Sequence, residues 1–233
     1  MDILQNNENS IIPPLPEPTV SGTFGHAWEI MKKRFPELLL IVLFQMVLSA
    51  PTGAKHLLYT WSGGSVATTG LLQFVYSLLI VMPLSYGCSW VYLKAIRGDD
   101  FRFQDIFFAY QSFGNILLAN LLVCLIVVAG FIMLIVPGFI FACKLAFVPY
   151  LVMDEKMEAV DAIRKSWNMT RGFSWTIFLM GIASIFVAIG GLICFIVGIF
   201  PAILWISLAF ASMYHVVSVQ AKARPEVGLN PPI

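Results

Sequence analysis

The chain has 233 residues, of which 59% are hydrophobic and 12% are charged. Soluble domains carry roughly 25% charged residues, so this chain has too few charges to cover a globule in water. The composition excludes a soluble enzyme, a disordered protein and a disulfide-rich scaffold, and it indicates an all-α, polytopic integral membrane protein. The net charge of +1 creates no field that would attract nucleic acid, so no nucleic-acid partner is expected.

Six apolar segments are candidates to cross the bilayer, which takes about 20 residues in a helix. The first is rich in Leu, Val and Ile but short, and it reaches residue 58 only if it continues through Pro51. Apolar and polar residues do not alternate strictly, so the segments are predicted to be helices rather than barrel strands. The predicted spans are residues 37–58, 71–96, 115–135, 139–153, 175–200 and 202–220.

Lysine and arginine concentrate on one side of these spans. About 12 of the 14 basic residues flank them on that side, and such residues accumulate in the cytoplasm. Six crossings with both termini in the cytoplasm produce this split, and every Asp and Glu falls on the same side. Residues 21–222 are therefore predicted to form one six-helix membrane domain. Residues 1–20, which are proline-rich and lack a signal-peptide pattern, and residues 223–233 are predicted to be cytoplasmic tails, the first disordered.

A short amphipathic segment precedes each pair of spans. Apolar side chains at helical spacing predict three helices that lie in the cytoplasmic interface, with polar residues such as His26 on the opposite face. With one hairpin turn at each of Pro51, Pro137 and Pro201, the segments would form a threefold repeat; chance occurrence in a six-span protein is the alternative. The stripes are Phe24, Ala27, Trp28, Met31 and Phe35; Phe103, Ile106, Phe107 and Tyr110; and Val160, Ile163, Trp167 and Thr170.

Lys144 is the only charged residue well inside a predicted span. A central lysine costs roughly 2.5–3.5 kcal/mol to insert, so a compensating group is expected near its ammonium. Two interpretations are open: the lysine is satisfied inside the protein or by extending outward, or it is a functional charge. Asp154 lies too far along the helix to pair with Lys144 and is predicted to cap the third interfacial helix, as Asp99 and Asp100 are predicted to cap the second.

Small residues recur every fourth position in the fifth span, at Gly190, Cys194 and Gly198. This spacing lets helix backbones approach closely, so it predicts a central, packed helix or a face for self-association. The four cysteines and three histidines lack the spacing of a metal site or a catalytic triad. We therefore expect no metal, no cofactor and no enzymatic activity.

Residues 135–173, IVPGFIFACKLAFVPYLVMDEKMEAVDAIRKSWNMTRGF, resemble the membrane domain of glycerophosphoryl diester phosphodiesterases and its stand-alone, YciC-like relatives in bacteria and archaea. The resemblance implies a six-helix module in the cytoplasmic (inner) membrane of a prokaryote. No phosphodiesterase activity is expected, because no segment outside the spans is long enough for a catalytic barrel. The residues that carry the resemblance are Pro137, Gly138, Lys144, Pro149, Tyr150, Asp154, Ala162, Ser166 and Gly172.

Three functions remain. The first is an accessory or scaffolding membrane protein, whose interfacial helices contact the lipid bilayer and protein partners on the cytoplasmic face. The second is a transporter or channel for a small or lipid-like anion that uses Lys144. The third is a membrane anchor module, related to the phosphodiesterase membrane domains, that has no catalytic residues of its own. A single intramembrane ionisable residue favours the first, because pumps carry several.

Overall fold

The computed structural model describes residues 16–53, 66–193 and 195–223. Within these ranges every regular element is a helix. Five helices are long and apolar enough to cross a membrane, or six if the bent pair at the start forms one span. The all-α, multi-span architecture predicted from the sequence is confirmed at this level. Most of both predicted tails and the end of the predicted first span, residues 54–58, lie outside the described residues.

The first two helices, α1 (Val20–Lys33) and α2 (Phe35–Gly53), meet at a bend of 102°. The Thr19 hydroxyl begins α1 by accepting the backbone N–H of Gly22 at 3.2 Å. Pro36 follows the bend, and it has neither an N–H to donate nor room for the carbonyl of a preceding helical turn. The bend lies where the sequence predicts the first interfacial helix to join the first span.

The second span contains a widened turn. Its segments are α3 (Val66–Tyr76), a π-helical turn (Ser77–Val81) and α4 (Met82–Arg97). Pro83 follows the widened turn and has no N–H for the carbonyl of Leu79. That carbonyl instead accepts the Tyr110 hydroxyl at 3.2 Å. The proline thus frees a backbone acceptor that a neighbouring segment satisfies.

A 3-10 helical segment (Phe103–Ser112) continues into α5 (Phe113–Met133) as one run of 31 residues. The sequence predicts an amphipathic helix here that is separate from the span, whereas the structure has a 3-10 segment that continues into it. The segment lies directly on α4, because a Cβ atom at Gly87 would overlap the carbonyl oxygen of Ile106. This backbone contact holds the segment along the span.

The third and fourth spans form a tight hairpin. α6 (Ile135–Leu145) begins after Leu134, whose extended backbone makes the turn. The turn thus precedes Pro137, which lies in the first turn of α6. A Cβ atom built on Gly130 would lie 3.0 Å from the Cα of Gly138, so the two glycines let the helices approach. A two-residue break separates α6 from α7 (Val148–Asp154).

The remaining helices are α8 (Ala159–Met169), α9 (Ser174–Ile193) and α10 (Phe195–Ala223). The predicted turn at residues 200–201 is wrong, because Pro201 lies inside α10. Pro51 likewise lies inside α2, and Pro137 lies inside α6 just after the turn at Leu134, so none of the three prolines makes the predicted turn itself. Proline is tolerated inside membrane helices when neighbouring groups satisfy the backbone, so it is a weak turn signal there.

α10 is the central helix of the bundle. Over an apolar stretch of 18 residues, 61% of α10 is buried, whereas only 11% of an equally long stretch of α9 is buried. Of the two interpretations of the small residues in the fifth span, the central, packed helix is therefore wrong, and the face for self-association stays a prediction. The sixth span has the central position, and α9 lies at the periphery.

The buried faces of the amphipathic helices differ from the predicted stripes. His26, predicted on the polar face of α1, is buried, and its Nδ1 lies 3.1 Å from the Ser212 hydroxyl of α10. Trp205 of α10 donates its indole N–H to the carbonyl of Phe24 at 2.8 Å. On α8, small residues face the protein and Val160 is exposed. The buried residues of α8 are Ala159, Ala162, Ser166 and Met169.

Candidate functional site

The charged last residues of two helices and a tyrosine of a third meet in one ion-pair cluster. Arg97, the last residue of α4, binds Asp154, the last residue of α7, through two parallel contacts of 2.5 and 2.6 Å. The Tyr214 hydroxyl of α10 donates to the same carboxylate at 2.8 Å. The Asp154 side chain is only 8% exposed. Two-pronged pairs of this kind are among the stronger hydrogen-bonded contacts, so the cluster joins α4, α7 and α10.

Two aromatic rings pack against Tyr214 of this cluster. Tyr150 stacks on Tyr214 with 5.1 Å between ring centroids, and Phe147 meets the same ring edge-on at 5.7 Å. Phe147 and Tyr150 are both buried. Because the Asp154 side chain has little contact with solvent, its attraction to the guanidinium is stronger and the penalty for leaving either charge unpaired is higher.

The predicted capping roles of the aspartates are wrong. Glu158, not Asp154, precedes α8, and Asp154 is held by Arg97 instead. Asp99 and Asp100 likewise lie before the residue that begins the 3-10 segment, and Asp105 has the capping role there. The Asp105 carboxylate accepts the backbone N–H of Arg102 at 3.1 Å and the Lys94 ammonium at 2.8 Å.

A second charged group lies beside this cluster. The Glu155 carboxylate pairs with Lys165 of α8, and its other oxygen lies 3.9 Å from the Lys222 ammonium near the end of α10. Arg34, at the bend before α2, donates to the backbone carbonyl of Asp99 at 3.0 Å. These contacts therefore bring together helix ends that the distribution of Lys and Arg in the sequence assigns to the same side of the membrane.

Lys144 is partly buried and contacts α8. Its ammonium lies 4.3 Å from the centroid of the Trp167 ring, and its backbone carbonyl accepts the Ser166 hydroxyl at 2.7 Å. Among the described residues no carboxylate is within ion-pair distance of the ammonium. A cation over a tryptophan face gains about 0.5–2 kcal/mol, which offsets part of the cost of placing this charge in a span.

Several of the residues that carry the family resemblance lie around one structural feature, the two-residue break between α6 and α7 in the fourth span. Pro149 lies in the first turn of α7, where it cannot continue the hydrogen bonding of α6. Ser166 binds the Lys144 carbonyl just before the break, and Ala162, fully buried, lies on the same face of α8. Gly172 makes the turn after α8 with a φ of +90°, a conformation that favours glycine. Pro137 and Gly138 lie at the other end of α6.

Only part of the predicted packing face mediates close packing. A Cβ atom at Gly190 would meet nothing within 4 Å, and Cys194 lies outside the described residues. A Cβ atom at Gly191 would instead lie 2.8 Å from the carbonyl oxygen of Gly198 and 2.6 Å from the Cβ of Ala202. The close approach thus joins α9 to α10 within one chain.

Asn115 is a structural residue that the sequence reasoning missed. Its side chain donates to the carbonyl of Met157 at 2.5 Å and accepts the backbone N–H of Ala159 at 2.7 Å. The amide of α5 therefore takes the place of an N-terminal cap on α8. The available signal is an amide at the start of a run that is apolar apart from Asn120.

The cluster's charged and hydroxyl groups are used in contacts with one another. Across the described ranges no group of three or more His, Cys, Asp and Glu side chains could hold a metal ion. Comparisons with protein-family models, with curated proteins and with solved structures found no match.

Proposed function

We propose that this chain is an accessory or scaffolding protein of a prokaryotic cytoplasmic membrane, with six spans and no enzymatic activity. The observation that carries the proposal is the surroundings of Lys144: its ammonium faces Trp167 and its carbonyl binds Ser166. A carrier needs its binding charge to be available to the substrate. Arg97 and Asp154 are likewise engaged with each other. These contacts support a rigid bundle rather than an anion pathway.

We propose that the cytoplasmic face is the one where the charged helix ends meet. The start of α2 and the ends of α4, α7 and α10 supply these charges. Six crossings with both termini inside would place all four of these helix ends on the cytoplasmic side. In a cysteine-free background, Asp100→Cys should react with an impermeant maleimide only after the inner face is opened. Leu134→Cys should react from outside. The reverse pattern would contradict the orientation.

The contacts among the resemblance residues also support a relationship to stand-alone members of the phosphodiesterase membrane-domain group. Lys144 and Pro149 lie on either side of the break in the fourth span, and Ser166, 22 residues after Lys144, binds the Lys144 carbonyl there. In this proposal the shared residues preserve the shape of a membrane anchor or scaffold and perform no hydrolysis.

Replacing Lys144 with methionine tests the scaffold against the carrier. Methionine retains the stem and can contact the Trp167 ring through sulfur, so we expect a loss of stability of no more than about 1 kcal/mol. Purified protein in liposomes should show no chloride or phosphate efflux and no movement of fluorescent phospholipid between leaflets beyond protein-free liposomes, with or without the substitution.

Efflux that depends on the wild-type protein and disappears with Lys144→Met, while the variant still inserts and folds, would overturn the scaffold proposal. Lys156→Met is the matched control, since Lys156 is exposed and lies outside the spans. Its flux should equal that of the wild-type protein.

A further inference from the structure

A groove of about 480 Å³ lies between α8 and the C-terminal part of α10. Its polar wall holds both charge signs and two amides, and half of its lining residues are apolar. Phe173, immediately before α9, belongs to the apolar wall. The polar lining residues are Asp161, Arg164, Lys165, Asn168 and Gln220.

The groove and the ion pairs beside it contain three basic side chains, Arg164, Lys165 and Lys222, and two acidic ones, Asp161 and Glu155. Lys165 already pairs with Glu155, and Lys222 approaches the same carboxylate to 3.9 Å. Arg164 is exposed and has neither an ion pair nor a hydrogen bond to any residue in the described part of the chain. A guanidinium presents a fork of donors that matches phosphate oxygens, so Arg164 is the group available to bind an anion.

The groove is amphiphilic and adjoins a membrane-spanning helix. α9 begins at Ser174, and the next residue, Trp175, is 70% exposed. Tryptophan concentrates at the level of lipid headgroups, which places the mouth of the groove near that level. A soluble phosphate would use only the polar wall, whereas a phospholipid also offers a glycerol backbone and methylenes to the apolar wall.

We infer that this groove binds the headgroup of an anionic glycerophospholipid, with the phosphodiester held by Arg164 and Asn168. The glycerol and the first methylenes lie against Phe173. The inference rests on the proposed function and identifies a ligand for one of its cytoplasmic-side helices.

Native mass spectrometry of the full chain in detergent, titrated with phosphatidylglycerol or phosphatidylcholine, tests the inference. The wild-type protein should bind the first phosphatidylglycerol more tightly than phosphatidylcholine. Arg164→Gln should weaken phosphatidylglycerol binding by about tenfold, the size expected for one charge-assisted contact. Asn168→Ala should weaken it less. Both side chains are exposed, so these variants should fold, which thermal unfolding verifies.

Arg171→Gln is the matched control, because Arg171 is also exposed and basic but does not line the groove. Its lipid affinity should equal that of the wild-type protein. An equal loss in both variants would overturn the inference, because surface charge alone would then explain binding. No loss in Arg164→Gln would also overturn it, because Arg164 would then not hold the phosphodiester. Displacement of the lipid by millimolar inorganic phosphate, dependent on Arg164, would instead assign a soluble-phosphate site and reject the lipid.

The two proposals fail separately. If the wild-type protein bound phosphatidylglycerol no more tightly than phosphatidylcholine and showed no efflux in the liposome assay, this inference would be rejected and the scaffold function would stand. Efflux abolished by Lys144→Met would remove the scaffold function whatever the groove binds.

Discussion

Replacing Asp154 with leucine should lower the free energy of unfolding by about 3 kcal/mol, because it leaves the Arg97 guanidinium without its carboxylate in a largely buried site. The expected loss is at the lower end of the range for buried pairs, since Arg97 is 23% exposed and can recover some hydration. The Tyr214 hydroxyl loses its acceptor as well. Reversible unfolding in mixed micelles, followed by circular dichroism, would measure the change.

A double replacement separates the lost pairing from the lost packing. Arg97→Met combined with Asp154→Leu should be more stable than Asp154→Leu alone, since no unpaired charge remains buried. Glu158→Leu is the control: this carboxylate is exposed, and its loss should change stability by about 0.5 kcal/mol or less. If Asp154→Leu and Glu158→Leu had equal effects, the ion pair would not be a structural element of the bundle.

Gly87→Ala should destabilise the protein by about 3 kcal/mol or more, at or above the upper end of typical overpacking costs. The added methyl group would overlap the carbonyl oxygen of Ile106 and lie 2.8 Å from its carbonyl carbon. Because these are backbone atoms, a side-chain rotation cannot relieve the overlap. We expect a lower midpoint of thermal unfolding and reduced yield of folded protein after purification.

Gly181→Ala is the corresponding control in another membrane-spanning helix. A Cβ atom there would meet nothing within 4 Å, and alanine is the better helix former. Its stability should equal or slightly exceed that of the wild-type protein. If Gly87→Ala were tolerated equally well, the 3-10 segment would not lie on α4 as closely as described.

The sequence predicts the helices well because apolar length alone determines whether a segment can cross lipid. It misplaces the last hairpin turn because Pro201 is compatible with a membrane helix, while the actual end of α9 at Ile193 has no proline. The small residues of α9 are compatible with either a central helix or a face for self-association, since they indicate close packing without indicating what covers the helix.

The candidate site is predicted less completely. Lys144 stands out because a charge inside an apolar run is rare, and Trp167 appears only as part of a stripe. The pairing of Arg97 with Asp154 joins residues 57 positions apart, and which helix ends meet depends on the tertiary arrangement. Periodicity within one helix cannot supply that information, and for the same reason His26 was assigned to the wrong face.

The contact between α1 and α10 has a consequence for biogenesis. His26 and Ser212 are 186 residues apart. The face of α1 that packs against α10 therefore stays uncovered until α10 has been synthesised. The ribosome must therefore synthesise nearly the whole chain before α1 can pack against α10. A nascent or prematurely terminated product that lacks α10 therefore leaves His26 and the neighbouring buried face of α1 without the helix that covers them in the finished protein.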